Sequence, residues 1–229
     1  MNRCKAAALH AIASLLLVGL VAAIVLLLWH PWGLYRISGV RPLLGMLLLL
    51  LLISGPLLTL TVYKPGKPGL HMDLAVVGLL QFAVLGFGLH LLWQTRPVFV
   101  VASDARFAVV LANELEDADL AVASRQEWSF LPWGRPLLVG LRLDNRRNSV
   151  LSTLLDTGMD HALQPARYVP YAEVAPRLMF ATTASNASGQ PAADSSAPEF
   201  RSLPIVARHG SGRLILNADT LQPLKVVTY

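Results

Sequence analysis

The chain has 229 residues, a formal net charge of +5 and one cysteine. Six basic residues (Arg3, Lys5, Arg36, Arg41, Lys64 and Lys67) and one acid, Asp73, precede residue 94, whereas 13 basic and 13 acidic residues follow, so the whole excess charge sits on the apolar N-terminal part. A neutral C-terminal part has no basic face with which to neutralise phosphates, which excludes nucleic acid as a partner, and a lone Cys4 excludes an internal disulfide.

Residues 6–29 are almost wholly apolar, with His10 and Ser14 the polar exceptions before the WHPW cluster at 29–32. A cleavable signal peptide has an apolar core of about 7–15 residues and a small-residue cleavage site behind it. This run is longer and ends in Trp, His and Pro, so it is expected to be an uncleaved membrane anchor. Cys4 precedes the run and is not placed for lipoprotein acylation.

A second apolar span is expected from about residue 43 to 63, with a kink or local unwinding at Gly55-Pro56. A basic turn over 64–72 follows, in which Lys64 and Lys67 anchor among headgroups while Pro65, Gly66, Pro68 and Gly69 stop both helices. The third span is expected from about 74 to 93, N-capped by Asp73. Apolar runs of about 20 residues match the hydrocarbon core of a bilayer, so 57–96 reads as a transmembrane helical hairpin. Three spans occupy residues 1–95.

Charge leaves the orientation undecided. With the N-terminus in the cytoplasm, Arg3, Lys5, Lys64 and Lys67 lie inside, and Arg36, Arg41, Arg96 and Arg106 lie outside near the helix ends. A short basic N-terminus ahead of a long first span favours the inside, and the absence of cysteine beyond the spans suits an oxidising compartment. The C-terminal domain is therefore expected outside the cytoplasm.

The remaining chain is long enough for one modest α+β domain. VFVVAS and RFAVVLA predict two strands around a tight turn at Asp104-Ala105. Acids first and a base last over 114–125 suit a short helix and its dipole. A strand is expected over 136–143, and helices over 149–155 and 171–180. Residues 181–199, nearly all small and polar, form an expected flexible linker between 96–180 and the closing strands of 200–229. Those strands are LPIVARH and RLILN around a Gly210-Ser211-Gly212 turn, and a last one over 225–229.

Candidates for chemistry are few. LLDTGMD, residues 154–160, resembles the active-site turn of retroviral-type aspartic proteases, in which paired aspartates share a proton. Asp156 would be that residue, but no glycine-rich flap follows and no apolar pair precedes a Gly-Arg or Gly-Asp near the end. His161 and His209 are solitary, so no metal site is expected. Asn186-Ala187-Ser188 fits a glycosylation sequon inside a composition-biased segment. No catalytic residue and no cofactor are assigned.

The third span offers another kind of site. Ala75, Gly78, Phe82, Gly86 and His90 recur at steps of three or four along one drifting helix face, and Gln81 adds a hydrogen-bonding side chain at mid-membrane depth. Small residues admit a close helix, and a polar group in lipid seeks a partner. This face either packs against the chain's own first or second span or docks a helix of another protein.

LYRISG (34–39), GPLLTLTVYKPGKPGL (55–70), DLAV (73–76), GLHLLWQTRPVFVV (88–101) and YVPY (168–171) together resemble the type IV pilin accessory proteins of the TfpX/TfpZ group. The likeness covers the three helices and first strands, and the YKPGKP turn is its specific part. It implies a bacterial inner-membrane protein with a chaperone-like, non-enzymatic role in pilin stability and pilus assembly. The implied partners are the major pilin and membrane lipid, with no small-molecule substrate. A prepilin holds one long apolar helix in the membrane and a globular head outside it. On that expectation Ala75, Gly78, Gln81, Gly86 and His90 grip the pilin helix while the outer domain shields the head.

Overall fold

The computed structural model describes residues 2–104, 106–142, 159–185 and 200–228, and these fall into two compact units. The first comprises Met1–Leu27 and Val40–Gln94. Helix α1 (Arg3–Ala23) is capped by Asn2, whose side chain accepts from the Lys5 N–H at 2.9 Å, and runs on as a wider-wound segment over Ile24–Trp29. Helices α2 (Val40–Val62) and α3 (Leu70–Gln94) follow. All three are long and apolar enough to cross a membrane.

Helix α2 is the centre of this unit and packs against both α1 and α3. Its buried side is Val40, Leu44, Leu47, Leu51, Gly55 and Thr59, one face at steps of three and four. Lipid tails are as apolar as Leu, so close helix contact here rests on small residues. A Cβ at Gly55 would lie 2.6 Å from the His10 ring and 2.9 Å from the Gln81 amide, and one at Gly88 would run into the Leu47 side chain. Helix α2 is continuous through Pro56, so the expected local unwinding does not occur. Neighbouring helices can absorb a proline within a bilayer span.

The turn between α2 and α3 is shorter than the nine residues expected, because α3 already begins at Leu70. Lys64-Pro-Gly-Lys67 and Lys67-Pro-Gly-Leu70 each close a turn, with the Lys67 N–H on the Lys64 carbonyl and the Leu70 N–H on the Lys67 carbonyl. Each places Pro second and a positive-φ glycine third, Gly66 at +76° and Gly69 at +80°, as a type II turn requires. Asp73 is consequently not the N-cap. It lies in the first turn of α3, where a carboxylate favours the helix dipole, and pairs with Lys67.

The second unit is Thr95–Tyr229 together with Leu28–Gly39, the segment joining α1 to α2. Strands β1 (Pro97–Ala102), β2 (Phe107–Leu111), β3 (Leu137–Leu141), β4 (Tyr168–Pro170), β5 (Thr183–Ser185), β6 (Phe200–Ala207), β7 (Gly210–Asn217) and β8 (Pro223–Val227) form one mixed sheet. Its order is β4-β3-β1-β2-β6-β7-β8, with β5 beside the start of β6. β1 runs antiparallel to β2 and parallel to β3, and β2 runs parallel to β6. Both faces are covered, and β1 is buried along its whole length, which explains its unbroken apolar run. Pro204, which has no N–H to offer, falls on β6 between the residues paired with β5 and those paired with β2.

One face packs under helix α6 (Tyr171–Ala181), with Val174 and Leu178 against Phe107, Val109 and Leu214. The other lies under α4 (Asp117–Ala121), α5 (Met159–Ala162) and Trp128. The acidic stretch thus makes a 3₁₀ turn at Ala112–Glu114 and only a five-residue helix. The β6–β7 hairpin turns at Arg208-His209, and Gly210 to Gly212 belong to β7. Gly212 is needed there for close strand approach, since a Cβ would strike the Val227 carbonyl of β8. The helix expected over 149–155, Asp156, and the sequon at 186–188 lie outside the described residues.

Candidate functional site

An open groove of about 240 Å³ runs between α1 and α3 over the Gly55 region of α2. His10, Ser14 and Leu17 line it from α1, and Gly78, Gln81 and Phe82 line it from α3. The lining is mostly apolar with three polar side chains, a composition suited to apolar surface carrying an occasional polar group.

Two polar connections hold the groove's floor. His10 Nδ1 lies 2.6 Å from the Oγ1 of Thr59, which is buried, and Gln81 donates through Nε2 to Ser54 Oγ at 2.8 Å. Ser54 in turn donates to the Leu50 carbonyl at 2.6 Å. Both cross-links pass α2 near Gly55, which lacks the side chain that would block them. Polar contacts between helices in lipid are worth about 0.6 kcal/mol on average and up to about 1.7. The Gln81 carbonyl oxygen accepts no hydrogen bond from a described residue, so one polar position on the groove wall remains available.

The residues predicted as one docking face divide. The buried seam of α3 against α2 is Val77, Leu85, Gly88 and Leu92, with Gln81 on the same line. Gly78 and Gln81 are half-buried beside the groove, whereas Ala75, Gly86 and His90 are exposed. A Cβ at Gly78 or Gly86 would meet nothing within 4 Å, so neither glycine serves packing within the chain. His90 bonds its neighbour Gln94, 3.1 Å away. The turn residues Lys64, Pro65, Gly66, Lys67 and Pro68 are all exposed.

Sequence inspection missed the partnership of His10, Ser54, Thr59 and Gln81. Each is a polar side chain in an apolar span, and that rarity was the available signal. In the second unit, His209 packs its ring over Gly39, and the His161 ring lies 3.4 Å from the Arg167 guanidinium. Among the described residues no group of three His, Cys, Asp or Glu could hold a metal ion.

The fold and groove define a three-span membrane protein carrying a mixed α+β domain. The chain is similar to "Fimbrial assembly protein, serogroup I" of Dichelobacter nodosus, at 25% identity over 172 residues covering 73% of this chain and 66% of that protein. It therefore spans slightly under two thirds of that relative's length. No family model matches the chain, and no solved structure matches it.

Proposed function

We propose that this chain is a non-enzymatic accessory factor in pilus assembly at the bacterial inner membrane, acting as a chaperone for the pilin subunit. The observation that carries the proposal is the similarity to a fimbrial assembly protein across 73% of this chain. The groove supplies the means. Its apolar wall at Leu17 and Phe82 suits an apolar pilin helix, and Gln81 offers a hydrogen bond to a polar group upon it. Gly78, at the groove, and Gly86, further along α3, allow a close backbone approach.

The N-terminus is cytoplasmic and the α+β domain periplasmic. In support, a short basic N-terminus (Arg3, Lys5) precedes a long first span; Leu28–Gly39 and the C-terminal domain, two spans apart, share one compact unit and so lie on one side in either orientation. The domain then stands beside the pilin head, while Lys64 and Lys67 meet headgroups on the cytoplasmic side.

Deleting the gene and measuring major-pilin level by immunoblot, alongside surface pili, tests this function. Loss of both, restored by the intact chain and by an Asp156→Asn variant, is the expected result. Unchanged pilin and pili would refute it, and restoration by the intact chain but not by Asp156→Asn would point instead to proteolysis.

A further inference from the structure

The loop over 129–135 presents two large aromatic side chains to solvent, Phe130 at 58% exposure and Trp133 at 79%. Two contacts fix where it lies. Arg96, only 2% exposed and two residues past the last residue of α3, donates from Nε and Nη2 to the Pro132 carbonyl at 3.3 and 3.2 Å. Leu28, near the end of the first apolar span, lies 3.8 Å from where a Cβ of Gly134 would be. The loop thus packs beside Leu28 and Arg96, which stand in the chain at the end of the first apolar span and just past the end of α3. The strands agree with that placement, since the loop feeds Leu137 of β3, which pairs with Phe99 at the start of β1.

We infer that the 129–135 loop is a further, non-spanning membrane contact, with Phe130 and Trp133 seated in the headgroup–acyl boundary of the leaflet from which the first and third helices emerge. The amphipathic indole of Trp favours that boundary, and Phe adds apolar surface to it. Arg135, exposed on the same loop, supplies a cation for lipid phosphate. An apolar pair standing in water would be a liability, and in the interface it anchors the domain.

A control lies elsewhere in the same unit. Phe180 is 93% exposed but sits near the Phe200 end of β6, where Arg201 donates to the Met179 carbonyl. The other end of β6 abuts the Arg208-His209 turn and Gly39, which leads directly into α2. Eight strand residues separate the two ends by about 25 Å, so Phe180 is a comparison position distant from Gly39 and the start of α2.

The full chain with Cys4→Ser, carrying an environment-sensitive fluorophore on Phe130→Cys or Phe180→Cys, is placed in nanodiscs of phosphatidylethanolamine and phosphatidylglycerol. Position 130 is expected to be quenched by lipids with shallow nitroxides and to resist aqueous iodide several-fold better than position 180. The native Trp133 gives a second measure: the component of tryptophan emission that Trp133→Phe removes should itself be quenched by brominated lipid. Equal iodide access at 130 and 180, no quenching of the Trp133 component, or protection at 130 only after a pilin is added would overturn the inference.

Discussion

Gly39 and His209 interlock. A Cβ on Gly39 would come within 2.7 Å of the His209 ring, and Gly39 adopts a φ of +77° that favours glycine. The contact ties the segment between the first two helices to the β6–β7 turn. Five and two residues upstream, Leu34 and Ile37 are buried in the sheet core, and Arg36 Nη1 donates to the Val226 carbonyl at 3.3 Å. A short inter-helix segment has become part of the domain's interior.

Removing that interior part should therefore unfold the domain although it lies far away in sequence. Leu34→Ala is expected to cost about 2–5 kcal/mol, and Gly39→Ala about 1–3 kcal/mol from backbone strain alone. Limited proteolysis of the purified full chain in detergent reads both. Digestion of the domain at wild-type rates would show that the strap carries no stability.

The glycines of the membrane unit separate into two classes. Gly55→Leu and Gly88→Leu drive a side chain into His10, Gln81 or Leu47 and should lower the thermal midpoint of the detergent-solubilised protein. Gly78→Leu and Gly86→Leu meet open space and should leave it within about 0.5 kcal/mol of wild type, as surface changes do. Pilin co-purification should reverse the pattern, with Gly78→Leu losing the partner while remaining folded.

Much of this architecture is legible in the sequence because its signals are local. Span length, the Lys-Pro-Gly repeat and the strands of VFVVAS and RFAVVLA each depend on near neighbours. The start of α3 was misplaced because two successive four-residue turns use fewer residues than one open loop, moving Asp73 from cap to first turn. The role of Leu34 and Ile37 depends on strands more than 60 residues away, and no local pattern announces it. How the expected docking face divides depends on distant residues as well. A period of 3.6 groups Ala75, Gly78, Phe82, Gly86 and His90, but which side of that face turns inward is set by Gly55 and Leu47 on α2.

Alkaline pH should loosen the domain. Tyr171 donates to the Leu221 carbonyl at 2.6 Å, and burial pushes its phenol up to about 12; Tyr168 is raised as well, by burial and then by Asp119. A raised folded value stabilises fully below the unfolded one, near 10, and that stabilisation is lost as pH climbs from about 10 through about 12. Arg96, pushed down to about 10 by burial, acts in the opposite sense over the same range. The tyrosine contribution is therefore the difference between wild type and Tyr171→Phe. The variant should be less stable at pH 7 and show a shallower alkaline decline in unfolding midpoint, and parallel declines would remove the assignment.

Sidedness is open to direct labelling. Cys4 is exposed, so a membrane-impermeant maleimide should leave the wild-type chain unlabelled until cells are lysed. In a Cys4→Ser background, Asp219→Cys in the domain should react from the periplasm and Lys64→Cys should not. Labelling of Lys64→Cys without that of Asp219→Cys would invert the orientation.

Site-specific photo-crosslinking in the host membrane tests the central claim most directly. A photoreactive residue at Phe82, on the groove wall, is predicted to capture the major pilin through its membrane helix, while one at Met46, exposed elsewhere on α2, is predicted not to. No pilin adduct at Phe82 at equal expression, or equal adducts at both positions, would contradict a groove that receives the pilin helix.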